Sequence, residues 1–325
     1  WTLDDYADSD GSSSIAFLSD NNFGLVSTTV ATNDRNEDIV TSAPMVHGVP
    51  SKQDHSLTFP RIQVGNGYQT KIILLNTSDE RLTGALNFFA LSGEPLTIGG
   101  ASEFSLDVPP HGVHLWDSTN HATTGEAGFA MFTSYSGTPS GSAIVSFHKG
   151  QTLVSEHQIL SGSIREGWFP IETYPSIVRH GQTSFTLFAT NDNEGAADVR
   201  FLVYNEDGQL LKRTYQILPA GRQVAFTHVD LADKGNFRGS VRIISDIPIA
   251  MTAEQQTVNL RNETITALLP SMTSAGSPRG TVLFPIYRDG PEQATQLFLL
   301  NGAEDNRVEF NFFREDGTEL SAILR

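Results

Sequence analysis

Short apolar runs alternate with polar turns along the whole chain, and this pattern predicts β-strands. One set of runs ends at or just before an asparagine: Thr70–Asn76, Thr183–Thr190 and Thr295–Asn301. Each run leads through a segment rich in Asp, Asn, Ser and Gly into a second apolar run, which predicts antiparallel hairpins: Ala85–Leu91, Asp198–Tyr204 and Arg307–Phe313. No segment shows sustained helical periodicity with caps, so we expect few helices, all of them short.

The predicted strands recur together with fixed landmarks. A Phe-Pro pair begins at Phe59, Phe169 and Phe284, with spacings of 110 and 115 residues. A Gly turn follows each second run, at Ser92-Gly93, Asp207-Gly208 and Asp316-Gly317. Gly relieves the cost of positive φ in such turns. The recurrence predicts a tandem array of one domain type of about 110 residues, long enough for each copy to bury its own core.

The second half of the repeat carries matching marks as well. Residues 141–146 (GSAIVS) match residues 239–244 (GSVRII), and a glutamate follows 15 residues after each leading glycine, at Glu156 and Glu254. We therefore interpret the two glutamates as one position in two domains. Paired carboxylates can cleave glycosides, but these two would lie too far apart to act together. A structural role, such as a hydrogen bond to a neighbouring turn or linker, explains the recurrence better.

The two ends of the chain match different parts of the repeat. Arg35-Asn36-Glu37 corresponds to Arg261-Asn262-Glu263, whereas residues from Phe284 onwards match the beginning of a repeat. The predicted organisation is a back half at 1–45, a linker at 46–58, complete sandwiches at 59–166 and 167–272, a linker at 273–283 and a front half at 284–325. The complete repeats should superpose, and strand alternation is expected to turn Ile73, Leu75, Phe185 and Leu187 inward.

These marks, with seven or eight predicted strands per repeat and no cysteine, resemble the Ig-like or fibronectin-III-like sandwich repeats of bacterial surface and secreted proteins. The same run of marks also resembles uncharacterised tandem repeats of large exported bacterial proteins. The resemblance covers nearly the whole chain. It implies an all-β fold of tandem antiparallel β-sandwich domains, located outside the cell or at its surface. It implies no ligand, because a fold does not define a function.

Charge and cysteine content narrow the range of partners. The net charge of −16 disfavours nucleic acid and anionic membrane surfaces, because both need a basic face. The absence of cysteine excludes disulfides, thiolate metal sites and a cysteine nucleophile. No apolar run is long enough to suggest membrane insertion.

Metal-binding candidates are few. Asp4, Asp8 and Asp10 offer the hard oxygen ligands that Ca²⁺ prefers, but the bidentate glutamate of an EF-hand loop is missing. A solvated acidic loop is the alternative interpretation. His111, His114 and His121 do not have the spacing of a standard zinc site. We therefore expect no cofactor, with Ca²⁺ as the one exception to consider.

The sequence also lacks a Gly-x-Ser-x-Gly nucleophile and a phosphate-binding loop, which favours a non-enzymatic protein. Our first hypothesis is an extracellular structural or adhesive protein, assembled head to tail when the front half of one copy completes the back half of the next. The alternatives are a longer polypeptide in which the halves belong to continuous domains, and closure within one chain, which linkers this short make harder. Our second hypothesis is a carbohydrate-binding accessory region of a larger secreted enzyme, contacting surface glycans through aromatics such as Trp116, Trp168 or Tyr174.

Overall fold

The computed structural model describes residues 28–42, 56–120, 124–137, 139–173, 182–232, 236–269 and 271, together with 299, 309–313 and 318–320. These residues form antiparallel sheets, which confirms the predicted all-β sandwich class. The described helical segments are α1 (His228–Ala232) and a 3-10 turn at Ser118–Asn120, so the helices are short, as expected. The chain divides into two compact units, residues 1–285 and 286–325.

The first described element is a hairpin, and a complete sandwich follows it. The hairpin consists of β1 (Thr28–Thr32) and β2 (Asp38–Ser42). We call residues 56–160 the first sandwich. Its strands are β3 (Ser56–Val64), β4 (Tyr68–Asn76), β5 (Leu82–Ala90), β6 (Glu103–Val108), β7 (Val113–Asp117), β8 (Glu126–Ser136), β9 (Pro139–Lys149) and β10 (Thr152–Leu160).

We call residues 164–269 the second sandwich. Its strands are β11 (Ile164–Thr173), β12 (Gln182–Asn191), β13 (Ala197–Asn205), β14 (Leu210–Leu218), β15 (Arg222–Thr227), β16 (Phe237–Val258) and β17 (Thr264–Leu269). In the second compact unit, β18 (Phe312–Phe313) pairs with β19 (Glu319–Leu320).

The two sandwiches have the same strand order. In the first, the sheets run β3-β8-β5-β6 and β10-β9-β4-β7. In the second, the N-terminal part of β16 lies between β11 and β13, while its C-terminal part lies between β12 and β17. With β14 beside β13 and β15 beside β12, the sheets run β11-β16-β13-β14 and β17-β16-β12-β15. One continuous strand, β16, therefore takes the places of both β8 and β9.

This exchange of one strand for two corrects the predicted match between residues 141–146 and 239–244. Gly239 pairs beside Asn205 on β13, and its equivalent in the first sandwich is Gly128, which pairs beside Ala90 on β5. In both places a Cβ would collide with a carbonyl oxygen of the neighbouring strand, of Tyr204 and Phe89 respectively. The sequence match was wrong because it aligned β9 with the part of β16 that is equivalent to β8. Neighbouring strands of one sandwich have the same alternation of apolar residues, so an alignment shifted by one whole strand still matches well.

Each sandwich has its own core, and the inward face was predicted correctly in only one of them. Phe185 and Leu187 on β12 are buried, as expected. On β4, however, Ile72 and Leu74 are the buried residues, and the predicted Ile73 and Leu75 are only half-buried. The strand-ending asparagine fixes the parity, since Asn76 and Asn191 are both buried and positions two and four residues earlier share their side.

The recurring asparagine closes the end of each sandwich. The Asn76 side-chain amide donates to the carbonyl oxygens of Glu80, Val108 and Pro109, at 2.6, 3.2 and 3.0 Å. The Asn191 amide donates in the same way to Gly195 and Leu218, at 2.8 and 2.9 Å. Each side chain thus satisfies buried carbonyl groups where two strands leave the sheet, which accounts for its recurrence in the sequence.

Candidate functional site

The most distinctive site of the described chain is a buried ion pair that joins the two sandwiches. Arg61 lies on β3 of the first sandwich and Glu254 on β16 of the second, and Arg61 Nε donates to Glu254 Oε1 at 2.6 Å. Arg61 is 7% exposed and Glu254 is 2% exposed. The guanidinium also lies 4.6 Å from the ring centroid of Phe188 and donates to Gln63. Such a pair has a large desolvation cost, which it offsets only in a well-satisfied geometry.

Further polar contacts surround this ion pair and cross the same boundary. Gln223 of β15 donates through its side-chain amide to the carbonyl oxygen of Pro60, and its backbone N–H lies 3.2 Å from the carbonyl oxygen of Leu91. Thr58 donates to the carboxylate of Asp192, which also accepts from Ser163 at 3.0 Å. The two sandwiches are therefore joined by directional contacts that only one relative placement satisfies.

A buried histidine lies in the same boundary. His157 on β10 is buried, and neither ring nitrogen makes a hydrogen bond of acceptable geometry. Burial lowers the pKa of His157 to about 4, the positive charge of Arg61 acts in the same direction, and the main chain of Thr266 on β17 opposes both. The imidazole is consequently neutral near pH 7, and protonation would place a second positive charge beside Arg61.

The boundary is therefore expected to weaken in mild acid. The unfolded pKa of His157 is near 6.5 and the folded one is about 4, so the unfolded chain binds more protons between these values. Stability should fall by about 3 kcal/mol as the pH drops from about 6.5 to about 4. Urea titrations across this range should show the loss, and His157→Leu should flatten it. An unchanged slope in His157→Leu would contradict the assignment.

Two turns with the same structure meet near this boundary. In Asn33–Glu37 and Asn259–Glu263, the asparagine side chain accepts from two backbone N–H groups and donates to the glutamate. The turns exchange ion pairs, from Arg35 to Glu263 at 2.8 Å and from Arg261 to Glu37 at 2.6 Å. The Asn259 hydrogen bond and these arginines lower the pKa of Glu263 to about 2. Its contribution to stability is lost only as the pH falls from about 4.5 towards 2.

The structure separates the two glutamates that the sequence had grouped. Glu156 lies on β10 opposite Ser146, and its equivalent in the second sandwich is Thr266 on β17, opposite Gln256. Glu254 instead lies on β16, opposite Thr186. The prediction that they occupy one position was wrong, for the reason given for residues 141–146. Glu254 contacts a strand of the neighbouring sandwich rather than a turn or linker.

The metal-ligand candidates are not brought together in the part of the chain that the structure describes. Asp4, Asp8, Asp10 and His121 lie outside the described residues. His111 is exposed in a turn beside Asp79, and His114 is half-buried on β7, where burial lowers its pKa. No cluster of three or more potential ligands occurs among the described residues. No described helix has the length and hydropathy to cross a membrane.

The three aromatic candidates differ in their surroundings. Trp116 is buried in the first core, where its ring lies 4.5 Å from that of Phe88. Trp168 lies on the outer face of the second sandwich, stacked on Tyr204 at 5.4 Å with the Arg242 guanidinium over its ring. Tyr174 lies outside the described residues. Of the two described candidates, Trp168 is therefore the less buried one.

Comparisons with known proteins give little further information. No protein-family model matches the chain, and no curated protein matches it. Solved structures with some similarity include a β-glucuronidase from Bacteroides uniformis, 13% identical over 64% of this chain and 25% of that one, with a TM-score of 0.16. A calcium-binding mutant of β-glucuronidase 2 from the same organism is 12% identical over 74% of this chain and 30% of that one, also with a TM-score of 0.16. The chain spans less than a third of either protein, and likeness this low does not bear on function.

Arg61 was not among the candidate residues predicted from the sequence. The available signal was a charged residue inside an otherwise apolar strand, directly after the Phe59-Pro60 landmark. Charged residues at buried strand positions generally need a partner. The partner could not be identified from sequence, because Glu254 lies 193 residues away and in another sandwich.

Proposed function

We propose that this chain is a non-enzymatic structural protein of the cell exterior, in which β-sandwiches are held in fixed orientations as in a stalk, fibre or surface layer. The observation that carries the proposal is the Arg61–Glu254 ion pair, buried between two sandwiches. A tether that only links independent domains needs no such contact, because a polar linker suffices. Separating a buried ion pair leaves each charge without compensation, so this contact disfavours placements of the sandwiches in which Arg61 and Glu254 do not meet.

The bulk properties are compatible with an exterior location. The net charge of −16 favours solubility in a saline medium, and a chain without cysteine does not depend on the redox state of its surroundings. Fractionation of the source cells tests the location. The native protein is expected in the surface or secreted fraction, and its recovery as a lone cytosolic monomer would contradict the proposal.

Head-to-tail completion of split sandwiches is the finer form of this proposal. The β1–β2 hairpin has the same register as the pair formed by β17 and the C-terminal part of β16. Thr28 lies opposite Ser42 in the hairpin, and Glu254 lies opposite Leu268 at the equivalent place in the second sandwich. Among the described residues β1 pairs only with β2, whereas β9 and β16 have strands on both sides. Leu299, whose equivalent Ala189 is fully buried, is 58% exposed. We infer from the sequence equivalence with β12 that residues 292–296 of one copy add to β1 of the next.

Cysteine cross-linking tests this register, since the chain contains no native cysteine. By analogy with the pairing of Thr186 with Glu254, Gln296 of one copy should lie opposite Thr28 of the next. The pair Thr28→Cys and Gln296→Cys is expected to give disulfide-linked dimers and longer ladders. Thr28→Cys with Leu297→Cys, shifted by one residue, is the matched control and should cross-link poorly.

Light scattering gives a second test of the same contact. Deletion of residues 284–325 is expected to remove the part of the assembly that depends on head-to-tail completion, and so to lower the mass of the full-length assembly. A full-length chain that is already a lone monomer at high concentration, or a Thr28–Gln296 cross-link formed within one chain, would contradict head-to-tail completion.

A carbohydrate-binding accessory region remains the alternative, and one observation favours it. Trp168 and Tyr204 are stacked on the outer face of the second sandwich, and half-exposed aromatic rings can stack on sugars. A glycan array with the parent chain and with Trp168→Ala separates the two functions. Binding that Trp168→Ala abolishes would favour the accessory region, and an array without binding would favour the structural protein.

A further inference from the structure

The two sandwiches treat one equivalent edge strand in opposite ways. β6 is an edge strand of the β3-β8-β5-β6 sheet, and β14 is an edge strand of the β11-β16-β13-β14 sheet. Among the described residues, each of these strands is paired on one side only. Their registers make them equivalent, because Val108 lies opposite Leu82 as Leu218 lies opposite Ala197. Edge strands expose unpaired backbone groups and are normally kept short or charged.

The first sandwich follows that rule. β6 is six residues long, and its outward positions are Glu103, Ser105 and Asp107, all exposed. Asp107 forms an exposed ion pair with Arg81 at 2.9 Å. Exposed pairs of this kind contribute little to stability, so Asp107 can change partner at low cost.

The second sandwich breaks the rule at the same positions. β14 is nine residues long, and Arg213, Tyr215 and Ile217 replace the glutamate, serine and aspartate of β6. Tyr215 is 67% exposed, Ile217 is 65% exposed, and the preceding outward residue, Leu211, is 45% exposed. A long edge with exposed apolar side chains is a template for the addition of another strand.

The charge of this edge indicates what kind of strand it accepts. Tyr215 lies directly opposite Arg200 and two residues from Arg213 on the same face. Neither arginine makes an ion pair with another described residue, so two positive charges lie beside Tyr215, while the exposed Asp198 lies opposite Ile217 nearer the end of the strand. The complementary strand should therefore carry carboxylates at alternate positions.

We propose that β14 of one copy pairs with β6 of a second copy of this chain. β6 supplies carboxylates at alternate positions, in Glu103 and Asp107, and its own outer edge is unpaired among the described residues. Pairing joins two sheets of the same strand order into one continuous sheet of eight strands, β3-β8-β5-β6 followed by β14-β13-β16-β11. The contact joins two different surfaces, so it repeats from copy to copy as an open array.

The test replaces the outward residues of β14 with those that occupy the equivalent positions of β6. The triple variant Arg213→Glu, Tyr215→Ser, Ile217→Asp gives β14 the outward residues of β6. Sedimentation velocity of the full chain should show self-association that weakens with salt, and the triple variant should weaken it at least about tenfold. An unchanged melting temperature confirms that the variant folds. Val229→Asp, an exposed apolar position of α1, is the control and should have no effect.

Charge reversal then identifies the partner strand. Arg213→Glu alone should weaken association, and addition of Glu103→Arg in the same chain should restore it. A monomeric parent chain, or a triple variant that associates as the parent does, overturns the proposal. If the parent instead binds a polyuronate through Arg213 and Tyr215 without self-association, the occupant is an acidic glycan and the proposal is wrong. The variant lacking residues 284–325 should retain the β14–β6 contact. A failure of the β14–β6 proposal can therefore be distinguished from a failure of head-to-tail completion.

Discussion

Replacement of Leu187 with aspartate is expected to unfold the second sandwich, at a cost of more than about 4 kcal/mol. Leu187 is fully buried on β12 among Phe169, Phe185 and Ile243 in the core of that sandwich. An unpaired carboxylate there has neither water nor a counter-charge, and the leucine also leaves a cavity. Thermal melts followed by circular dichroism should show the loss directly.

The first sandwich provides the control, because on its β4 strand Leu74 points inward rather than Leu75, which the sequence had predicted to point inward. Leu74→Asp should be as damaging as Leu187→Asp, whereas Leu75→Asp should cost clearly less, since Leu74 is fully buried and Leu75 only half-buried. A Leu75→Asp variant that is less stable than Leu74→Asp would show that the described register of β4 is wrong.

Removal of one partner of the Arg61–Glu254 pair should cost about 3 to 5 kcal/mol, because the other charge remains buried without compensation. Arg61→Met and Glu254→Leu are the single changes. The double variant should recover much of the loss, since both charges are then replaced by apolar side chains of similar size. Urea unfolding of the four proteins gives the interaction energy.

The exposed Arg81–Asp107 pair is the matched control for that cycle. Its two side chains are more than half exposed, and Arg81→Met should change stability by no more than about 1 kcal/mol. If the effects of Arg61→Met and Glu254→Leu simply add, the two side chains do not act as a buried pair, and the described boundary between the sandwiches is wrong.

Local features of the fold could be predicted from the sequence because they depend on nearby residues. Gly93 and Gly208 have positive φ in the turns where the sequence placed them. The correspondence of residues 35–37 with 261–263 extends to the backbone hydrogen bonds of the two turns and to those from each asparagine to its own turn. In each, an asparagine organises the turn within a few residues of itself.

Other features depend on distant parts of the chain and were missed. The inward parity of β4 depends on the buried Asn76, whose three carbonyl partners lie on two other segments. The alignment around Gly141 failed because β16 passes through both sheets without a break, whereas the first sandwich interrupts the same path at Gly137. The Arg61–Glu254 pair exists only once two sandwiches have folded, and no local pattern encodes it.

We expect the two sandwiches to keep one fixed relative orientation, and the distance between a spin label on each sandwich measures it. Because the chain has no cysteine, a double variant with Tyr135→Cys in the first sandwich and Val229→Cys in the second carries one spin label at each site. Both positions are exposed. Pulsed dipolar spectroscopy should give one narrow distance distribution that broadens in Glu254→Leu. A broad distribution in the parent chain would show that the two sandwiches move relative to each other and that the buried ion pair does not fix their orientation.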